Sequence, residues 1–387
     1  MGREAAGPLW EPRGLDLLLI RARAGRLLEA GVRPTALRRA AASLWELAAS
    51  RGVRRPLDLP AGLRVIGVGS AVLGGAGKTP VAVAVARELA RRGESVALVS
   101  HAYGASPGRG RRVRIADAPS EVGDDALASA RLLNSTNVPV IVGPSRRAAL
   151  DLALALGASI AVVDGLLQAS PAPLTDSILV LDALAPWGSA RCPPLGDLRA
   201  PQNALLLAAD HVAVVTPSTL PAPQLDLPEG SIHLPSCIAG ALDAAGRPFD
   251  LAALKALRVG LILAIARPER IRRALSSCGI EPVIRLELAD HAALTPADLD
   301  RARAAAQRSS SPDPPGPPSP PNASKMPKSP SIPASPEVWL TTARCATKLP
   351  PELWGSPVLA LDHRIDVAPL LPRLRAAPSS RTPPPLC

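Results

Sequence analysis

The sequence predicts an α/β fold: a parallel-sheet core preceded by amphipathic helices and followed by a second, smaller α/β domain. Three observations carry this. Short Val/Ile/Leu-rich runs alternate with helical stretches from residue 64 onward, a glycine-rich loop ending in Lys-Thr follows the first run, and a second series of apolar runs opens near residue 258. Near-continuous apolar runs, unlike alternating ones, suit strands covered on both faces, as in a parallel sheet between helical layers.

The first element to justify is the leucine-rich stretch at residues 13–50, "GLDLLLIRARAGRLLEAG" followed by "ALRRAAASLWELAASRG". At helical spacing it gives helices with an apolar stripe flanked by arginines. Two readings stay open: helices packed on the protein's own core, or a hairpin partly sunk in an anionic leaflet, each arginine adding roughly 1 kcal/mol. The N-terminal unit is placed at residues 1–58.

The core domain, residues 59–225, contains the runs "RVIGVG", "SVALVS", "VPVIVG", "SIAVVD", "SILVLD" and "HVAVVTP". Proline-punctuated sequence then suggests a linker at 226–256, and "RVGLILAIA", "PVIRLEL", "VWLTTA" and "VLALD" build the second domain at 257–372. Residues 308–336, "RSSSPDPPGPPSPPNASKMPKSPSIPASP", can bury almost nothing and read as a disordered insertion in that domain, with a disordered tail at 373–387.

Composition narrows the partners. The 387 residues, 47% of them apolar, suffice for two domain cores. Net charge is +11 and all but five of the 44 basic residues are arginine. That balance suits nucleic acid, anionic lipid or phosphorylated substrates without choosing among them. Aromatics, at 2%, are too few for a base-stacking platform, so no nucleic-acid partner is expected, and no feature marks a protein partner. The five cysteines lie far apart without CxxC or Cys/His clustering, against a disulfide framework or a structural zinc site. With no secretion signal and no apolar run of spanning length, the expectation is a cytosolic chain able to lie against a membrane.

The chemistry begins at "AVLGGAGKTP", residues 71–80. "RVIGVGS" supplies a buried strand and "PVAVAVARELARRG" a helix with Pro80 in its first turn and Gly93 as its stop. Strand, glycine-rich loop, Lys-Thr and helix are the context of a P-loop, making the sheet core P-loop NTPase-type. Gly74, Gly75, Ala76 and Gly77 let main-chain N–H groups converge on phosphate oxygens. Lys78 would reach the β- and γ-phosphates, and the Thr79 hydroxyl would ligate Mg²⁺. Val72 stands where GxxxxGK[ST] has its first glycine. Asp164, ending "SIAVVD", suits a metal-binding carboxylate at a strand tip or an exposed turn residue. Arg146 and Arg147 after "VIVGPS" suit phosphate groups or a solvated helix face, and Arg199 and Arg267 are weaker candidates of the same kind.

"VGSAVLGGAGKTP" resembles the VGN-x-x-x-GG-x-GKTP signature of the tetraacyldisaccharide 4'-kinase (lipid A 4'-kinase) family, as a divergent member. Further blocks resemble that family in order: "SHAYG" its SRGYG, "VGDDALASAR" its VGDEP, "VVDGLLQ" its DDGFQ, "PPLGDLRAP" its LPAGPLREP, "AIARPER" its GIARPERF, "LADHAALT" its FPDHHxYT and "LTTARCATKL" its TEKDAVKL. "VPVIVGPSRRAA" is also similar, and the likeness spans roughly residues 15–362 outside the insertion.

The resemblance implies transfer of phosphate from ATP, with Mg²⁺, to the 4'-hydroxyl of tetraacyldisaccharide 1-phosphate, giving lipid IVA. It also implies a peripheral position on the cytoplasmic face of the bacterial inner membrane. On the family pattern Asp124 is the base and His291, beside Asp290, its partner, one on each domain, with Lys78 in the catalytic set. From the residues alone, Asp124 reads first as a helix N-cap and His291 by default as a surface loop residue. The departures are Val163 for the first aspartate of DDG, Leu166 and Leu167 for Phe and Gln, His101 and Ala102 in SRGYG, Asp125 for glutamate, and Cys345 for the aspartate of TEKD. Competing readings are a nucleotide-binding but impaired relative and a dimeric P-loop partitioning ATPase. Leu73 counts against the latter, standing where those loops usually carry lysine.

Overall fold

The structure is a computed structural model that describes residues 25–53, 55, 57–167, 174–219, 227–301 and 336–375. Residues 13–24 of the N-terminal stretch, nearly all of the proline-rich insertion and most of the C-terminal tail lie outside the described residues.

The first part of the chain runs α1 (residues 25–30), α2 (Ala36–Gly52), β1 (Arg64–Ser70), α3 (Lys78–Arg91), β2 (Val96–Val99), β3 (Arg111–Arg112), α4 (Pro119–Val122) and α5 (Asp124–Leu132). It continues through β4 (Val140–Val142), α6 (Arg146–Ala155), β5 (Ile160–Asp164), β6 (Asp176–Asp182), α7 (Gln202–Leu207) and β7 (His211–Pro217). There follow β8 (Ile232–Leu242), β9 (Pro248–Asp250), α8 (Leu251–Lys255), β10 (Val259–Leu263), α9 (Glu269–Ser277), β11 (Ile284–Glu287), α10 (residues 296–301), β12 (Val338–Thr341), β13 (Glu352–Leu353) and β14 (Ser356–Ile365).

All principal strands join one sheet in the order β11-β10-β12-β14-β8-β7-β6-β1-β5-β2-β4-β3. The first lobe, β7 to β4, is parallel. The second, β11-β10-β12-β14, is parallel within itself and meets β8 through an antiparallel pair with β14. The apolar runs explain why. β1, β5 and β6 are buried along their whole length. On one face Ile66, Val68, Val162 and Ile178 pack against Val81 and Val85 of α3 and Leu127 of α5. On the other, Val65, Ala97 and Val163 pack against Ala149, Leu150 and Ala153 of α6. A fully buried side chain of this size contributes about 1.5–3 kcal/mol, so both layers are held firmly to the sheet.

Residues 226–256, read in the sequence as a linker, carry β8, β9 and α8 instead. Leu234, Ile238 and Ala241 supply the inward face of β8, but Pro235 and Gly240 interrupt the pattern that would mark it as a strand. Pro235 has no N–H to donate, but it stands where β8 passes from pairing with β7 to pairing with β14, and its carbonyl still accepts Asp366 N at 2.8 Å. Strand β1 lies between β5 and β6, where the connections turn to opposite sides of the sheet. Open α/β sheets bind their ligands outside the carboxyl ends of strands at such a reversal.

Candidate active site

The loop after β1 does not leave the sheet at once. Val72 forms a bridge with Leu198, flanked by Leu73 N to Asp197 O at 3.0 Å and Arg199 N to Ala71 O at 2.7 Å. Val72 is fully buried there, so an extended, packed residue takes the place of the flexible first glycine. The turn follows. Gly75 and Gly77 have φ of +76° and +85°, left-handed values that admit glycine readily, and Gly77 caps α3. Gly74, Gly75, Ala76 and Gly77 thus form a loop ending at the N-terminus of α3, with Lys78 and Thr79 in its first turn. The backbone of these four loop residues and the N-terminus of the helix face one cleft.

Thr79 Oγ1 donates to Asp164 Oδ2 at 2.6 Å, and Lys78 Nζ stands 3.8 Å from Asp164 Oδ1. That Oδ1 is buried without a hydrogen-bond partner. A hydroxyl and an orphaned carboxylate oxygen side by side fit Mg²⁺, which takes hard oxygen donors. Burial pushes the Asp164 carboxyl above the ordinary range, with Lys78 and the Thr79 hydrogen bond acting against it. A divalent cation would favour the ionised form. Strand alternation sends Val163 to the other face, among Val65, Ala97 and Leu150, so a carboxylate there would replace a core contact.

Further polar groups ring this point. Ser100, following β2, is level with Asp164 across the ladder, and its Oγ is buried without a partner, as is Arg199 Nε. Arg146 Nη2 donates to Gly165 O at 3.4 Å, next to Asp164. Burial and the charges of Arg146 and Lys78 push His101 below the ordinary histidine value. Arg147 turns instead to Asp151, at 2.8 Å, and to Asp58 on the surface. Arg267 pairs with buried Asp197, so its guanidinium joins the two lobes. Gly188 makes room for that pair, since a Cβ there would lie 2.4 Å from Asp197 Oδ1.

The second lobe closes over the P-loop. A Cβ on Gly74 would come within 2.9 Å of Ala266 Cβ and 3.7 Å of Asp290 Oδ2. Beside this contact, His291 Nδ1 lies 2.8 Å from Asp124 Oδ2, although 167 positions separate the two in sequence. Lys348 Nζ is 2.5 Å from the same oxygen, and Asp125 N donates to Oδ1 at 2.9 Å. Burial alone would raise the Asp124 carboxyl; hydrogen bonds from His291 and Lys348 outweigh it and hold the group well below the usual carboxylate range. Arg344 Nη1 approaches His291 Nε2 at 2.9 Å and also pairs with Asp290. An arginine only donates, so Nε2 accepts and the ring proton sits on Nδ1, toward Asp124. Tyr103 packs on the imidazole with centroids 4.2 Å apart. Asp124 sits behind the histidine, which lines the large cleft together with Lys78, Thr79, Asp125 and Asp290. That cleft is about 640 Å³.

A family model described as tetraacyldisaccharide-1-P 4'-kinase matches residues 33–312. The chain belongs to this family. It is similar to a tetraacyldisaccharide 4'-kinase of Anaeromyxobacter sp. (strain K), 34% identical over 319 residues that cover 77% of this chain and 78% of the relative. Another from Geobacter sulfurreducens is 35% identical over 303 residues, covering 73% and 81%. A crystal structure of LpxK from Aquifex aeolicus in complex with ATP matches the fold with a TM-score of 0.60 at 20% identity, over 84% of this chain and 93% of that one.

Within the family pattern the structure explains a second departure besides Val163. Cys345, at the aspartate of TEKD, is buried and its Sγ accepts Ala264 N at 3.3 Å, keeping an acceptor without a charge. Tyr103, Arg344 and Lys348 were missed as site residues in the sequence. All three lie inside blocks quoted for the resemblance, and their proximity in space, not any local motif, singles them out.

Proposed function

We propose that this chain transfers the terminal phosphoryl group of ATP to the 4'-hydroxyl of a tetraacyldisaccharide 1-phosphate, a step of lipid A biosynthesis. The observation that carries the assignment of roles is the contact of Asp124 with His291 beside the P-loop. Family membership supplies the reaction, and the fold supplies a phosphate cradle whose loop, lysine and threonine are all in place.

The amides of Gly74 to Gly77 and Lys78 bind and orient the phosphates. Thr79 and Asp164 would hold Mg²⁺, whose charge would offset that of the phosphate oxygens. The acceptor hydroxyl gives its proton to the Asp124–His291 pair as its oxygen bonds to phosphorus, and the bond to the departing diphosphate breaks. Phosphoryl transfer passes through a loose transition state in which little proton transfer is needed early. A strongly ionised carboxylate behind His291 therefore serves chiefly to orient the imidazole that faces the cleft and to stabilise the charge it gains when the hydroxyl proton moves late. His291 donates to Asp124 through Nδ1 and faces the cleft, while Arg344 fixes its tautomer. Arg146 and Arg199 add positive charge around Asp164.

The substrate is an amphiphile, and α2 offers a surface for its membrane. Leu37 and Leu44 are 81% and 70% exposed, with Leu47 half exposed, next to Arg38, Arg39 and Arg51. Trp45 on the same helix anchors it to the site by donating to Arg199 O at 3.1 Å. Among the described residues no helix is long and apolar enough to cross a membrane. We assign the protein to the cytoplasmic face of the inner membrane as a peripheral enzyme, with α1 and α2 in the headgroup layer.

The test uses the purified full chain with labelled ATP, Mg²⁺ and the disaccharide 1-phosphate in detergent. Label should appear on the lipid. A folded preparation that binds ATP and transfers nothing would mark it as an impaired relative.

A further inference from the structure

The second lobe places one more cation against the phosphate cradle, from a residue not yet given a role. Arg270 stands in the first turn of α9, and its side chain crosses the lobe boundary. Nε lies 2.9 Å from Oδ2 of Asp182, the last residue of β6, whose Oδ1 accepts Leu184 N at 3.1 Å. Nη1 donates to the carbonyl of Gly75 inside the P-loop. Both terminal nitrogens lie 3.8 Å from the position a Cβ would take on Gly77, the left-handed residue that opens α3. Arg270 shares the walls of the large cleft with Lys78 and Thr79.

The chemistry of this arrangement is specific. A planar guanidinium is rigid and permanently charged, so it can be held against Asp182 as an ion pair while Nη1 donates to the loop. Asp182 is almost completely buried, and an acid in that position fixes a cation rather than solvating it. Glycines at Gly75 and Gly77 leave the loop main chain free to move unless something external holds it. The fixed group borders the end of the loop where the helix dipole and Lys78 already gather negative charge.

Building on the kinase reading above, we propose that Arg270 is a positioning residue for phosphoryl transfer: held by Asp182, it fastens the Gly75–Gly77 main chain and turns a second-lobe cation toward the terminal phosphate. The structure then makes closure of the second lobe part of the recognition of ATP against ADP. A misplaced cradle costs roughly 10²-fold in rate even when the reacting groups are intact.

The test compares the full-length wild type with Arg270→Ala, Arg270→Lys and Asp182→Asn, and with Arg273→Ala as a control on the exposed side of α9. Equilibrium binding of ATP and of ADP, each with Mg²⁺, is measured beside kcat, KM and the melting temperature. In Arg270→Ala the preference for ATP over ADP should collapse toward unity and kcat should fall about 10- to 100-fold. Arg270→Lys should restore less than about a tenth of the lost rate, because an ammonium cannot bridge Asp182 and the Gly75 carbonyl together. Asp182→Asn should move both readouts in the same direction, which keeps the test open if the alanine variant does not fold. The control should match wild type. ATP preference and kcat within twofold of wild type in a folded Arg270→Lys or Arg270→Ala protein would overturn the proposal while leaving the kinase reading intact. Absence of ATP binding by the wild type would instead overturn the reading on which it rests.

Discussion

Lys348 Nζ lies 2.5 Å from Asp124 Oδ2, so the carboxylate that His291 contacts is held by two groups of the opposite lobe at once. The contact belongs to a wider segregation of charge. Asp124, Asp125, Asp182 and Asp197 are on the first lobe, and Arg267, Arg270, His291, Arg344 and Lys348, which meet them, are on the second. Removing one partner of such a buried pair leaves the other charge uncompensated, so each pair is a sensitive place for substitution.

Lys348→Met should raise the pKa of Asp124, since Lys348 helps hold the carboxyl down. A carboxylate depressed in the fold is stable above the ordinary carboxylate range and loses that stability as pH falls. The acid limb of the kcat/KM profile should therefore move to higher pH. Turnover against pH decides it, and an unmoved limb would separate Lys348 from the dyad.

Asp124→Asn retains shape and loses the negative charge that backs His291. Turnover should fall by about 10²- to 10⁴-fold while ATP affinity changes by less than about threefold. Single-turnover phosphotransfer and equilibrium nucleotide binding distinguish the two, and equal losses in both would make Asp124 a structural residue.

Asp164→Asn removes the charge from the carboxylate beside Thr79, whose Oδ1 has no hydrogen-bond partner. Mg²⁺ should then no longer strengthen ATP binding, and the metal concentration for half-maximal rate should rise at least tenfold. Titration with Mg²⁺ at fixed ATP measures it; a metal requirement like that of wild type would place the ion elsewhere.

Burial pushes the Glu29 carboxyl up to about 7, with Arg267 opposing and Asp197, Glu269 and Asp290 adding to the rise. A carboxyl raised in the fold contributes fully at pH below about 4.5 and loses its contribution as pH climbs through about 7. Partial exposure limits this to roughly 1 kcal/mol. Wild type should lose melting temperature relative to Glu29→Gln between pH 5 and pH 8 on that account. A constant difference across the range would mean that Glu29 stays solvated.

Leu44→Gln with Leu47→Gln exchanges exposed apolar surface on α2 for polar surface. Flotation with anionic phospholipid vesicles should drop severalfold while activity on detergent-dispersed substrate stays near wild type. Undiminished flotation would move the membrane contact away from α2.

The cradle was legible because its determinants are contiguous: glycines, lysine and threonine between a strand and a helix. Asp164 was legible for a similar reason, as the polar end of an apolar run. The dyad was not readable from the residues themselves, since an aspartate before a helix and a lone histidine each have an ordinary structural explanation. Only the order of blocks resembling a known family suggested the pair. Arg267 shows the converse: a conspicuous arginine in "ARPER" is engaged by Asp197, 70 positions away, which no local pattern discloses. Strand β8 was hidden because Pro235 and Gly240 look like loop punctuation, yet both sit where the ladder tolerates them.

Strand β8 hydrogen-bonds β7 along its first half and β14 along its second, and the register of the latter pair slips between Asp362 and His363. The two lobes are consequently not beads on a flexible string. Parting them has to flex a ribbon that both own, and the slipped register is where such a ribbon yields most easily. Any movement of one lobe against the other is thereby limited to the bending of this one strand and its slipped neighbour.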